Sequence, residues 1–192
     1  MKKVALFEKV PFAQYRDDLF EAYGGVDRFS YVKSCESYEE AERLVRSMYD
    51  DIKLPTRATV GSAGYDFYAP EDYIIEPDMT VVIPSGIRVI IEPGWVLNVF
   101  PRSGHGFKYR LQLDNTVGII DSDYYGSDNF GHIKIKLTND TKCHKTCVIE
   151  AGCGYAQGIF IPYGITFNDQ ADAIRNGGFG STTERGVEDE RQ

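Results

Sequence analysis

The apolar positions of this chain follow two different periods, and the change falls near residue 53. Before it the spacing is helical. Phe12, Tyr15, Leu19 and Tyr23 recur behind Pro11, which suits the first turn of a helix, and Gly24-Gly25 ends the run. Ser37-Tyr38-Glu39-Glu40 is a capping box, and Ala41, Leu44, Val45 and Met48 then share one face. The pattern predicts a helix over 38–50. Val4 to Phe7 and Phe29 to Val32 read as short strands.

From Leu54-Pro55 onward the apolar runs shorten. They are Tyr73–Ile75, Thr80–Ile83, Ile87–Ile91, Trp95–Phe100, Ile133–Leu137, Cys147–Ile149 and Gly158–Ile161, and Ile119-Ile120 ends another. Gly61, Gly64, Pro70, Pro77, Pro84, Gly86 and Pro93-Gly94 punctuate them. Many short strands without alternating helices predict a sandwich or barrel rather than a doubly wound sheet. After Asn168 the periodicity is lost, and a Gly-rich stretch and an acidic tail follow. Such a stretch is a covering arm or a frayed terminus. The expected organisation is an N-terminal extension over 1–53, small and helical or α/β, with a docking role. A mainly β core over 54–167 and a C-terminal arm over 168–192 complete it.

Composition narrows this picture. Among 192 residues, 13 Tyr and 11 Phe reinforce the β reading, and 42% hydrophobic content suffices for a packed core. A net charge of −8 with no basic run argues against binding nucleic acid along its backbone. No run approaches the roughly 20 apolar residues of a membrane span. Val4 to Phe7 is too short for a signal-peptide core, so a cytoplasmic protein is expected. Cys35, Cys143, Cys147 and Cys153 are then expected as free thiols. Cys143-His144-x-x-Cys147-x5-Cys153 fits no usual zinc spacing.

The candidate chemistry gathers around Asn98 to Gly126. Asp121 stands where the apolar run Ile119-Ile120 stops, a place for a carboxylate held by a strand and exposed at its mouth. Asp-Ser-Asp is equally ordinary turn chemistry. Arg102-Ser103-Gly104 offers a guanidinium, a hydroxyl and backbone N–H groups to an anionic oxygen. Asp66 at a strand start and Gln157 inside an apolar run are further polar intrusions. Gly177-Gly178-Phe179-Gly180-Ser181-Thr182 is neither a P-loop nor a dinucleotide fingerprint.

In order and spacing these pieces closely resemble the five motifs of the homotrimeric dUTPase family, over about residues 54–183. The matching segments are Ala63-Gly64-Tyr65-Asp66, Pro101-Arg102-Ser103-Gly104, Asn115 to Tyr124, Ala156-Gln157 and Gly177 to Thr182. The resemblance implies a distorted jelly-roll β-barrel and three subunits sharing three active sites. It implies hydrolysis of dUTP to dUMP and pyrophosphate, which keeps uracil out of DNA and supplies dUMP for dTMP synthesis. Asp121 would be the general base for water attack on the α-phosphorus. Asn115, Gly118 and Ile120 would belong to the hairpin that reads uracil, and Tyr124 would stack under the deoxyribose. Arg102, Ser103, Gly104 and Gln157 would hold phosphate oxygens. Mg²⁺ would bridge the phosphates, with Asp66 reaching it through water. From the arm, Phe179 would cap the uracil, while Arg175, Gly180, Ser181 and Thr182 would meet the phosphates.

Three departures stand out. The family's fourth motif, Gly-Asp-Arg-Ile-Ala-Gln, reads Gly152-Cys153-Gly154-Tyr155-Ala156-Gln157 here, without its acidic and basic residues. Arg175 lies one residue nearer Phe179 than the pattern expects, which leaves Arg185 as a second candidate. Ser127 to Gly131 lengthen the loop after the base. The extension resembles those of dUTPases from Gram-positive bacteria and their phages. A dCTP deaminase of the same fold would need a glutamate where Lys136 stands. A nucleotide-sensing regulator with a protein partner is the other alternative, with its surface on 1–53 and 127–131.

Overall fold

The structure is a computed structural model, and it describes residues 2–173 and Arg175. Strand β1 (Ala5–Lys9) opens the chain, followed by helices α1 (Phe12–Tyr23), α2 (Val26–Lys33) and α3 (Tyr38–Asp50). The two predicted helices are present. Gly24, at φ 84, closes α1 in the left-handed region that suits a residue without Cβ. The Ser37 hydroxyl caps α3 by accepting from the Glu40 N–H.

The strand expected at Phe29–Val32 is instead part of α2. Phe29 is fully buried, with its ring against Phe20 and Tyr23, whereas Tyr31 and Val32 are exposed. An isolated strand here would need a neighbour for its backbone groups, while a helix satisfies its own. Gly25 and Ser34 bracket the helix, so the Gly-Gly pair ends one helix and starts the next.

The core comprises β2 (Thr56–Arg57), β3 (Tyr65–Tyr68), β4 (Tyr73–Ile75), β5 (Thr80–Pro84), β6 (Ile87–Ile91) and β7 (Trp95–Pro101). Helix α4 (Ser103–Tyr109), β8 (Leu111–Leu113), β9 (Gly118–Ile120), β10 (Lys134–Asn139), β11 (Cys147–Ile149) and β12 (Gly154–Pro162) follow. The architecture is mainly β, as expected. The strands at Thr56 and Leu111 and the short helix α4 had no clear sequence signal, whereas β3 lies where a strand start was expected at Asp66. One sheet has the order β2-β3-β12-β7-β9, a second β5-β10-β8, and two are pairs, β1-β6 and β11-β4. Their ladders are antiparallel. Alternation fills the interior: Ile87, Val89 and Ile91 of β6 point inward with Leu97 and Val99 of β7. Each such side chain contributes about 1.5–3 kcal/mol by leaving water.

A second apolar cluster, built on Tyr15, Leu19, Phe29 and Val45, belongs to the helices. The helical layer meets the β core through the β1–β6 ladder and two polar links. In one, Glu71 accepts from the Tyr23 hydroxyl (2.8 Å) and pairs with Lys33. In the other, the Asp18 carboxylate of α1 meets His132 and Lys134 of the core. Among the described residues no helix is long and apolar enough to cross a membrane. The four cysteines are free thiols, and no described cluster of three or more ligating side chains includes them.

The second link makes stability depend on pH. The Gly86 N–H donates to His132 Nε2 (2.8 Å), so Nδ1 carries the proton and donates to Asp18 Oδ2 (2.5 Å). Burial pushes the His132 pKa below its usual 6.5, against the upward pull of Asp18. Burial also opposes ionisation of Asp18, but hydrogen bonds from His132, Gln14 and Lys134 outweigh it and hold the carboxyl at about 2. Both folded values lie below the unfolded ones, so the unfolded chain binds more protons as pH falls. The His132 contribution is complete above pH 6.5 and is lost below it; that of Asp18 is lost from about pH 4 down to about 2. The melting temperature is therefore expected to fall from pH 7 to pH 5, and His132→Gln to flatten that slope. Melts at stepped pH check this, and equal slopes in both proteins would contradict it.

Candidate active site

β8 and β9 form the arms of a hairpin that opens between two sheets. β8 pairs with β10, whereas β9 pairs with β7. The splayed arms leave a cavity of about 660 Å³. Asn115, Gly118 and Ile120 line it, with Val99, Leu113 and Ile135 supplying apolar wall. A Cβ on Gly118 would sit 3.1 Å from the Val99 Cβ, so glycine keeps this wall recessed. Lys134 and Lys136 of β10 complete the wall, with Asp18, Glu21 and Ala22 of α1. Lys136 pairs with Asp114 at 2.9 Å.

Asp121 follows β9 directly. Its backbone is extended, and the chain then turns into a short 3-10 helix, Ser122–Gly126. The Asp121 side chain is 46% exposed, and its Oδ2 lies 2.6 Å from Arg175 Nη2. Arg175 Nε reaches Asp123 Oδ1 at 3.0 Å, and its guanidinium stands 5.8 Å from the Tyr124 ring centre. Tyr124 is buried beneath, and its hydroxyl donates to the His132 carbonyl (2.9 Å). Burial pushes its pKa up, so the phenol stays protonated at neutral pH.

A second group of site residues assembles where β3, β12 and β7 lie side by side. The register sets Gln157 opposite Asp66 on one side and Phe100 on the other. Arg102 follows β7 and precedes α4, and Ser103 and Gly104 lie exposed in the first turn of α4. Arg102 Nε is 3.4 Å from Asp66 Oδ1, and its Nη1 donates to the Gly154 carbonyl (3.3 Å). Gln157 Nε2 donates to the Pro101 carbonyl (3.2 Å). Gly154, in the altered fourth motif, lies against this guanidinium: a Cβ there would stand 2.6 Å from Arg102 Nη1. A side chain there would push the tip of Arg102 aside.

The two groups sit at opposite ends of β7. Leu97 pairs with Ile120, which puts Asp121 beside the start of the strand, whereas Arg102 follows its end. At ~3.3 Å per residue their backbones stand roughly 20 Å apart. Phe179, Gly180, Ser181, Thr182 and Arg185 lie outside the described residues. Sequence reasoning assigned no role to Asp123, Asp18, Glu21 or Lys134. The alternation of Ile133, Ile135 and Leu137 with Lys134 and Lys136 was the signal for the lysines. No local pattern marked Asp18.

The family model for dUTPase matches residues 50–183. The chain belongs to the dUTPase family. A deoxyuridine 5'-triphosphate nucleotidohydrolase of Lactococcus lactis is 40% identical over 134 residues, covering 68% of this chain and 88% of that protein. The crystal structure of dUTPase from Streptococcus mutans has 39% identity and a TM-score of 0.53, covering 59% of this chain and 88% of the other. A Staphylococcus bacteriophage 80alpha dUTPase variant with dUpNHpp has 25% identity and a TM-score of 0.51, covering 70% and 88%. As a dUTPase, the chain hydrolyses dUTP to dUMP and pyrophosphate. The deaminase alternative falls with this assignment. Lys136, where a deaminase would place its glutamate, lines the hairpin cavity instead.

Proposed function

We propose that this dUTPase works through sites shared between copies of the chain, as a homotrimer, with Asp121 as the general base. The observation that carries the reading is the roughly 20 Å between Asp121 and Arg102 along β7. The side chains close part of that gap, but not down to the two ~3 Å hydrogen-bond lengths through which one phosphate oxygen could join them. Asp121 of one copy therefore works with Arg102, Ser103, Gly104 and Gln157 of another.

Uracil enters the hairpin cavity against Asn115, Gly118 and Ile120, and the deoxyribose rests on Tyr124. Once closed around uracil, the pocket would leave a 5-methyl group without room and a cytosine amine without a partner. Asp121 accepts a hydrogen bond from a water and takes its proton as the oxygen bonds to the α-phosphorus. The bond from that phosphorus to the oxygen bridging to the β-phosphate breaks, and pyrophosphate departs. Arg102, Ser103 and Gln157 hold the phosphate oxygens through charge-assisted and neutral hydrogen bonds. Arg175 must release Asp121 for this, and the phosphates offer its guanidinium a stronger partner. Phe179, Gly180, Ser181 and Thr182 would close over the substrate.

The described residues suit a Mg²⁺ held mainly by the substrate phosphates rather than by a protein cage. Asp66 is the carboxylate in the phosphate-binding group, and Arg102 already pairs with it. It would contact Mg²⁺ through water. When bound, the ion neutralises charge on the phosphates. The free thiols and the nucleotide substrate suit a cytoplasmic setting.

A pyrophosphate-release assay with dUTP, dCTP, dTTP and UTP tests the reading, with dUTP alone expected to turn over well. Gly154→Ala tests the phosphate group. It pushes the tip of the Arg102 side chain aside without removing it, so KM for dUTP is expected to rise about tenfold, less than on losing the whole guanidinium. An unchanged KM in both Gly154→Ala and Arg102→Ala would remove Arg102 from the site.

A further inference from the structure

We infer that Asp18, in the N-terminal extension, is a positioning residue for Tyr124 and so helps to set the preference for deoxyribose over ribose. This rests on the reading that Tyr124 lies under the sugar. The Tyr124 hydroxyl donates to the His132 carbonyl (2.9 Å) and accepts from Asn129 Nδ2 (2.9 Å), which also donates to that carbonyl (3.2 Å). The height of the phenol ring thus depends on where the His132 backbone sits. That backbone is anchored through its own side chain. Gly86 holds Nε2 and Asp18 holds Nδ1–H, and the imidazole is fully buried between them.

Asp18 is itself fixed. It accepts from Gln14 (2.7 Å) on its own helix and from Lys134 (3.1 Å) on β10. A continuous chain of hydrogen bonds therefore runs from α1 through His132 to Tyr124. Removing the carboxylate leaves the buried Nδ1–H without its partner, so the ring and its carbonyl must shift. Asp18 also lines the hairpin cavity. The link from Tyr23 and Lys33 to Glu71 joins the same two layers but does not include Tyr124. It provides the control.

The test measures kcat/KM for dUTP and for UTP with the full-length enzyme. Asp18→Ala and Tyr124→Phe are each expected to lower the dUTP-to-UTP ratio about tenfold, and the double variant to fall no further than the worse single one. Asp18→Asn keeps an acceptor for Nδ1–H and should retain most of the ratio. Tyr23→Phe should lower the melting temperature and leave the ratio unchanged. If Asp18→Ala fails to fold, Asp18→Ser takes its place, since its hydroxyl is too short to reach the ring. Additive losses, a normal ratio in the Asp18 variant, or an equal loss in Tyr23→Phe would overturn the inference. If neither Tyr124→Phe nor Tyr124→Ala alters the ratio, the sugar-stacking reading itself fails. If Tyr124 matters and Asp18 does not, the inference fails alone.

Discussion

Asp121→Asn is expected to bind dUTP with near-normal affinity and to turn it over at least ~10²-fold more slowly, the usual loss on removing a general base. The substitution keeps the shape of the side chain at the end of β9 and keeps the 3-10 turn that follows it. It removes the ability to take a proton from water. Affinity should hold, because the uracil and phosphate contacts proposed above belong to other residues. It can even improve slightly, because Arg175 pairs with Asp121 at 2.6 Å and the amide releases that guanidinium to the phosphates. Calorimetric titration with dUTP and a pyrophosphate-release assay separate the two quantities. Turnover within a few-fold of the parent enzyme would exclude Asp121 as the base.

The residues of the proposed site were more legible in the chain than their geometry. Asp66, Arg102, Ser103, Asp121, Tyr124 and Gln157 stand in motifs that can be read locally. The strands with long apolar runs, such as Trp95–Pro101, were legible for the same reason. Thr56–Arg57 and Leu111–Leu113 were not, since both are short and carry polar residues. Phe29 misled because its neighbours favour strands, while its burial against Phe20 and Tyr23 decides for a helix. Distances were harder still. The separation of Asp121 from Arg102 is a property of the β7–β9 register, and no spacing along the chain discloses register. The Asp18–His132 bond joins residues 114 positions apart, and Arg175 reaches Asp121 across 54. Neither contact has a local pattern, because each depends on how whole elements dock.

That register leads to the second large effect. Arg102→Ala and Asp121→Asn should each be nearly inactive alone, and co-assembly of the two should restore activity. The proposed shared site would draw Asp121 from one copy and Arg102 from another. In random assemblies of equal amounts, half of the sites receive an intact Asp121, and half of those also receive an intact Arg102. Activity should therefore recover to about a quarter of the parent value per site, from two preparations that have almost none. Co-expression with two separable tags provides the mixed assembly, and sizing confirms that it is oligomeric. A site contained in one chain predicts the opposite, because each chain would still carry one of the two lesions and the mixture would stay at the sum of its parts. Gln157→Ala in place of Arg102→Ala should complement Asp121→Asn in the same way. Arg102→Ala and Gln157→Ala should fail to complement each other, because both lesions fall on the same side of the site. That pattern, recovery across the two groups and none within one, follows from the roughly 20 Å that β7 puts between them.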